Sequence, residues 1–197
     1  VRGIWSRPAG KPQVDTGAGS AVITAESVWK WDDKTPVVAE SVRIRVHPKE
    51  GEGRAIDFDI KLAALVEGLE FCGRLEAGYG GFNIRMAPAK GQQIVFHTDP
   101  ADARPVRAWA DYSAEFDGGR DRSGLAILQS ADGPQYPQEW REYPQLNFFQ
   151  PLYPGGTPIS MPKDRQVSLR YRLWIHPGGA DDNKLSEQWD LYNRAIR

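Results

Sequence analysis

The chain has little of what usually announces an enzyme. There is one cysteine, Cys72, in 197 residues. A lone cysteine makes no internal disulfide, and its apolar setting, Leu69-Glu70-Phe71-Cys72-Gly73, predicts a small buried core residue rather than a thiolate nucleophile. There are three histidines, His47, His97 and His176, and none has a second histidine at metal-ligand spacing. HxH and HExxH patterns are absent, so no metal site and no cofactor are expected. No GxSxG elbow and no phosphate loop occur. No apolar run reaches 18 residues, which excludes a spanning helix, and no signal peptide is visible at the start. The net charge is -1 and the pI about 6.4. With no basic surplus to neutralise phosphates, nucleic acid is not the expected partner.

What is present is ordinary globular material: 40% hydrophobic and 26% charged residues. A chain of this size buries about 70% of its unfolded surface, enough for a core without disulfide or metal. The hydrophobic pattern is mostly of period two. From Val38 to His47, Val42, Ile44 and Val46 alternate with Ser41, Arg43, Arg45 and His47. After the Gly-bearing turn Lys49–Gly53, Ile56, Phe58, Ile60 and Leu62 alternate with Asp57, Asp59 and Lys61. Two such runs predict a hairpin with one buried face, on whose polar side Arg43 and Arg45 meet Asp57 and Asp59. Val167 to His176 alternates most cleanly, with Arg170, Arg172, Trp174 and His176 sharing the polar face. Ala21–Trp31, Glu70–Leu75, Phe82–Met86, Gln93–His97, Val106–Phe116 and Leu125–Gln129 read as further strands.

Residues 1–20 read as an irregular lead-in, and the proline-rich stretch 130–164 as a long loop. After Pro177-Gly178-Gly179, Leu185, Trp189, Tyr192 and Ile196 recur at helical spacing, which predicts a helix over 181–196. The expected fold is therefore all-β, an antiparallel β-sandwich in one domain of residues 1–197 with one C-terminal α-helix.

Three clusters carry the functional reading. Gly78-Tyr79-Gly80-Gly81-Phe82-Asn83-Ile84-Arg85 places three glycines beside a strand, either a structural bulge or a place where a ligand approaches the backbone. Trp109-Ala110-Asp111-Tyr112 alternates on a strand, and the loop stretch Pro134–Tyr143 carries Trp140 and Arg141. Trp and Tyr rings suit the apolar faces of sugars, and Arg, Asp and Asn suit their hydroxyls. The expected site lines a concave sheet face. Tyr79, Arg85, Trp109, Trp140 and Arg141 would bind a small-molecule carbohydrate there, and His176 or Asp111 would move protons. Glu139 and Glu142 are further acids for a carboxylate pair with Asp111. Two other classes fit the same residues: a glycan-binding module without chemistry, and a structural or interaction domain.

The segments KTPVVAESVRIRV, RAIDFDIKLAAL, GYGGFNIRMAP, WADYSAEF, SGLAIL and VSLRYRLWIHPGG, in that order, resemble the bacterial family labelled PmoA-like or DUF6807, from about Ala21 onward. The resemblance implies a supersandwich related to galactose mutarotase, association with sugar-processing functions, and a periplasmic or secreted location. The family label borrows the name of a membrane-spanning methane mono-oxygenase subunit, which a chain with no spanning run does not match. The sequence also departs from the family pattern. It contains no His-rich DHPHHRG-like segment, and Leu128–Asp132 lacks a His-Pro pair ahead of Trp140. Enzymatic activity and oligomeric state stay open.

Overall fold

The computed structural model describes residues 3–17, 19–73 and 79–195. Its frame is a nine-stranded antiparallel sheet. The strands are β1 (Ile4–Pro8), β2 (Gln13–Gly17), β3 (Ser20–Trp31), β4 (Thr35–Glu50), β5 (Gly53–Ala64), β8 (Ala89–Thr98), β9 (Ala108–Phe116), β10 (Ser123–Gln129) and β14 (Gln166–Pro177). Their order is β1-β3-β4-β5-β14-β10-β9-β8, with β2 pairing β3 beside β1. The β3–β4–β5 and β8–β9–β10 meanders are joined when β14, last in the chain, inserts between β5 and β10.

The alternation places the core. Leu169, Tyr171 and Leu173 of β14 turn to one face with Leu62, Ala110, Tyr112, Ala114 and Ile127. A second layer covers that face. It consists of a small sheet of β11 (Trp140–Tyr143), β12 (Phe148–Pro151) and β7 (Ile84–Arg85), and a strand pair of β13 (Ile159–Met161) with β6 (Leu69–Phe71). Phe149, Tyr153 and Met161 are its buried contribution. Hydrogen bonds satisfy Tyr171 and Gln129 between the layers: Tyr171 Oη donates to Gln138 Oε1 at 2.8 Å, and Gln129 pairs with the Gln138 backbone at 2.8 and 3.0 Å.

The helix α1 (Asp182–Ala195) lies on the opposite face of the large sheet, where Leu185, Trp189 and Tyr192 meet Trp109, Ala126, Leu128 and Trp174. The Asp181 carboxylate accepts from the Lys184 backbone N–H at 3.1 Å, the N-cap arrangement. Arg107 grips Asp190 through two nitrogens at 3.0 and 3.1 Å. Asn193 accepts from the Ala131 N–H at 2.7 Å, which ties the last turn to the end of β10.

Several expectations are corrected. Residues 1–20 are not an irregular lead-in. β1 and β2 pair with successive halves of β3, and because every side chain on them is exposed they carry no apolar alternation. The stretch 130–164 is not one loop, since β11, β12 and β13 lie in it. Cys72 is exposed rather than buried. It follows Leu69 and Phe71 in period two and so points outward with Glu70. The strand expected over Phe82–Met86 contracts to Ile84–Arg85. Arg74 and Leu75 of the expected strand Glu70–Leu75, Gly78 of the glycine segment and Ile196 of the helix lie outside the described residues.

Candidate functional site

The polar face of β14 carries the most concentrated chemistry. Its alternation sends Arg172, Trp174 and His176 to the helix side. In register, Gly124 of β10 sits between His176 and Ser113 of β9. A Cβ on Gly124 would stand 2.5 Å from His176 Cε1 and 2.7 Å from Nε2, so only glycine leaves room for the imidazole there. The ring reaches over Gly124 to β9, where Nε2–H donates to Asp111 Oδ2 at 2.7 Å. Nδ1–H donates to the Pro177 carbonyl at 3.1 Å.

Asp111 is fully buried and the His176 side chain is 10% exposed. Burial pushes the His176 pKa down, but the Asp111 hydrogen bond and charge, with the Pro177 carbonyl, outweigh it and hold it above the ordinary value. Both nitrogens facing acceptors is the setting of a doubly protonated imidazolium. Asp111 Oδ1 is buried without a hydrogen-bond partner among the described residues.

Trp174 repeats the device. A Cβ on Gly53 would lie 2.1 Å from its six-membered ring. Trp174 and His176 border a cleft of about 420 Å³. Its rim comes from the β4–β5 turn, with Glu50 and Glu52, and from the helix start, with Asp181 and Lys184. One rung further along the sheet, Asp57 accepts from Arg172 through both oxygens, at 2.6 and 2.9 Å, and pairs with His47 at 2.6 Å. Burial raises the Asp57 pKa, yet Arg172 and His47 together bring it below the ordinary carboxylate value. The remaining histidine, His97, pairs with Asp99 at 2.8 Å and stacks on Trp109, so each of the three histidines contacts a carboxylate.

The seven residues expected to line one pocket do not converge. His176 and Asp111 meet directly. Trp109 shares their face, but it is fully buried beneath α1 and stacked on His97, with no surface to offer a ligand. Asp111 is equally inaccessible, and its contact is with His176. The other four lie in the second layer, across the large sheet. Tyr79 stacks on Tyr143 at 5.3 Å, and Arg85 lies 5.6 Å over the Phe148 ring. Trp140 packs against Phe96, and Arg141 is exposed on β11. The glycines beside Tyr79 serve backbone packing: a Cβ on Gly81 would stand 2.6 Å from the Pro151 carbonyl oxygen, one on Gly73 2.6 Å from that of Gly155.

Trp174 stood on the same alternating run as His176 and was legible as its neighbour. Glu50, Glu52 and Lys184 were not, because a turn and a helix start approach each other only through the fold. Among the described residues no group of three His, Cys, Asp or Glu side chains is placed to hold a metal, and no helix is long and apolar enough to cross a membrane.

No curated protein and no solved structure matches the chain. A family described as one of unknown function, DUF6807, matches residues 6–190. That span takes in the large sheet, the second layer and most of the helix, and the chain belongs to the DUF6807 family.

Proposed function

We propose that the protein binds a carbohydrate, and that the sugar lies in the cleft beside Trp174 and His176. The observation that carries this reading is the composition of that cleft. An indole and an imidazole held in place over glycines form one wall, and carboxylates and an ammonium on a turn and a helix start form the rim. An aromatic surface edged by planar and charged hydrogen-bonding groups complements a sugar ring, apolar on its face and hydroxylated at its edge.

Binding without turnover is the form that the geometry favours. Both nitrogens of His176 are occupied, by Asp111 and by the Pro177 carbonyl. A general acid or base needs a nitrogen within hydrogen-bond reach of the substrate. The Asp111–His176 ion pair then holds the cleft wall in position.

Calorimetric titration of the chain with a panel of neutral mono- and oligosaccharides, run beside a product assay, tests this. The expected result is saturable binding without product, weakened at least 10-fold by Trp174→Ala in protein whose circular dichroism is unchanged. Product formation would return the reading to an enzyme. Absence of binding across the panel would remove it.

A further inference from the structure

The sheet face that carries the cleft continues beyond the helix as an open surface, and its charges are arranged in rungs. Arg43 of β4, Asp59 of β5 and Arg170 of β14 stand side by side in register. The next rung holds Arg45, Asp57 and Arg172. Four arginines thus face two aspartates, in a chain whose net charge is -1. The local excess follows from strand register and not from composition.

Among the described residues neither β4 arginine forms an ion pair with these aspartates, although Asp59 Oδ1, on the rung of Arg43, is buried without a hydrogen-bond partner. Asp57 pairs through its two oxygens with Arg172 and His47 and not with Arg45 opposite it. Arg170 turns to Asp132 at 3.6 Å. Arg43 and Arg45 are exposed and make no hydrogen bond or ion pair among the described residues. Guanidinium groups are planar, permanently charged forks that hold carboxylates through two parallel hydrogen bonds.

We propose that this arginine ladder binds the carboxylates of an acidic, uronate-bearing glycan, a chain whose end occupies the neighbouring cleft. The proposal rests on the carbohydrate reading above and assigns it a ligand class. Spacing is consistent with a chain. The two free guanidinium groups, on Arg43 and Arg45, belong to residues about 6.6 Å apart along their strand, so each can hold a separate carboxylate of one chain. Continuity supports it too: the rung after Asp57–Arg172 is Ala55–Trp174, where the cleft begins.

The test is calorimetric titration of the full chain with three probes: hexagalacturonate, its neutral methyl-esterified counterpart, and polyglutamate. The acidic hexamer is expected to bind at least 10-fold tighter than the neutral one, and tighter than polyglutamate. Its affinity should fall as salt is raised. The double variant Arg43→Gln/Arg45→Gln should lose at least 10-fold for the acidic hexamer and nothing for the neutral one. Arg43→Lys/Arg45→Lys, which keeps the charge and loses the fork, should lose less. Equal affinity for the two hexamers in wild-type protein overturns this inference and leaves the carbohydrate reading standing. Equal affinity for polyglutamate and hexagalacturonate overturns the glycan assignment. Unchanged acidic affinity in a folded Gln variant overturns the role of the ladder.

Discussion

The two faces of the large sheet are built from the same strands, residue by alternate residue, yet they are held by different forces. On one face Leu169, Tyr171, Leu173 and Ile127 press against Phe149 and Met161 of the second layer. Stability there comes from removing apolar area from water, roughly 25 cal/mol per Å². On the other face, outside the patch under α1, carboxylates are matched to cations: Asp111 to His176, Asp57 to Arg172 and His47, Asp99 to Arg107. A buried ion pair adds little over an apolar replacement, but removing one partner is costly. The apolar face therefore sets how stable the sheet is, and the charged face sets where chemistry sits and makes part of the stability depend on pH.

The largest effects should come from truncating each face at its centre. Phe149→Ala is expected to cost about 3–5 kcal/mol, as large aromatic truncations in cores do. Asp111→Ala should cost a similar amount, about 3–5 kcal/mol, because it leaves the His176 charge buried without its partner. Urea denaturation at two pH values separates the causes. The Phe149→Ala loss should be the same at pH 5.5 and pH 8.5. The Asp111→Ala loss should be larger at pH 5.5. His176 has a folded pKa above its ordinary 6.5, so the pair's contribution is complete below that value and declines as pH rises through the folded pKa. Equal losses at both pH values would show that the Asp111–His176 pair is held by shape alone. Asp57 works in the other direction. Its folded pKa lies below the ordinary 3.8, so its contribution is present above that pH and is lost as pH falls through the folded value.

Gly124→Ala probes the charged face without touching a charge. The added methyl would enter the space of the His176 ring, and overpacking of this kind costs about 1–3 kcal/mol. The imidazole must then leave Asp111, so its pKa, followed by proton resonance of the ring, should fall toward the ordinary value. Gly10→Ala is the control: nothing lies within 4 Å of the new methyl, and stability should be unchanged.

How much of this contrast the sequence reveals depends on which physical signal carries it. The period-two runs from Val42 to Leu62 and from Val167 to His176 declare both faces, because side-chain alternation is a local property of a strand. The helix side Leu185, Trp189, Tyr192 is local in the same sense. β1 and β2 escape because an exposed strand needs no apolar alternation; it is held by backbone pairing with β3. The site is less legible than the fold. The meeting of Asp111 with His176 requires β14 to insert beside β10, a register between segments 65 residues apart. Tyr79, Arg85, Trp140 and Arg141 have the composition of a binding surface, but nothing in a loop sequence says which face of a sheet it will cover. They fold over the apolar side, away from His176.

The smallest expected effect falls on the open half of the charged face. Arg43→Gln and Arg45→Gln should each change stability by no more than about 0.5 kcal/mol, the usual range for exposed side chains away from a packed feature. Neither exposed side chain makes an ion pair among the described residues, so its removal breaks none. Arg172→Gln, two strand pairings from Arg45 on the same rung, should behave differently. Arg172 is mostly buried, holds Asp57 and lies 4.9 Å from the centre of the Tyr192 ring, so its loss uncouples sheet from helix and leaves Asp57 with His47 as its one partner among the described residues. Thermal unfolding of the three variants reads the difference directly. If Arg43→Gln or Arg45→Gln lowers stability as much as Arg172→Gln, the β4 arginines are structural, and the charged face has no free half to offer a ligand.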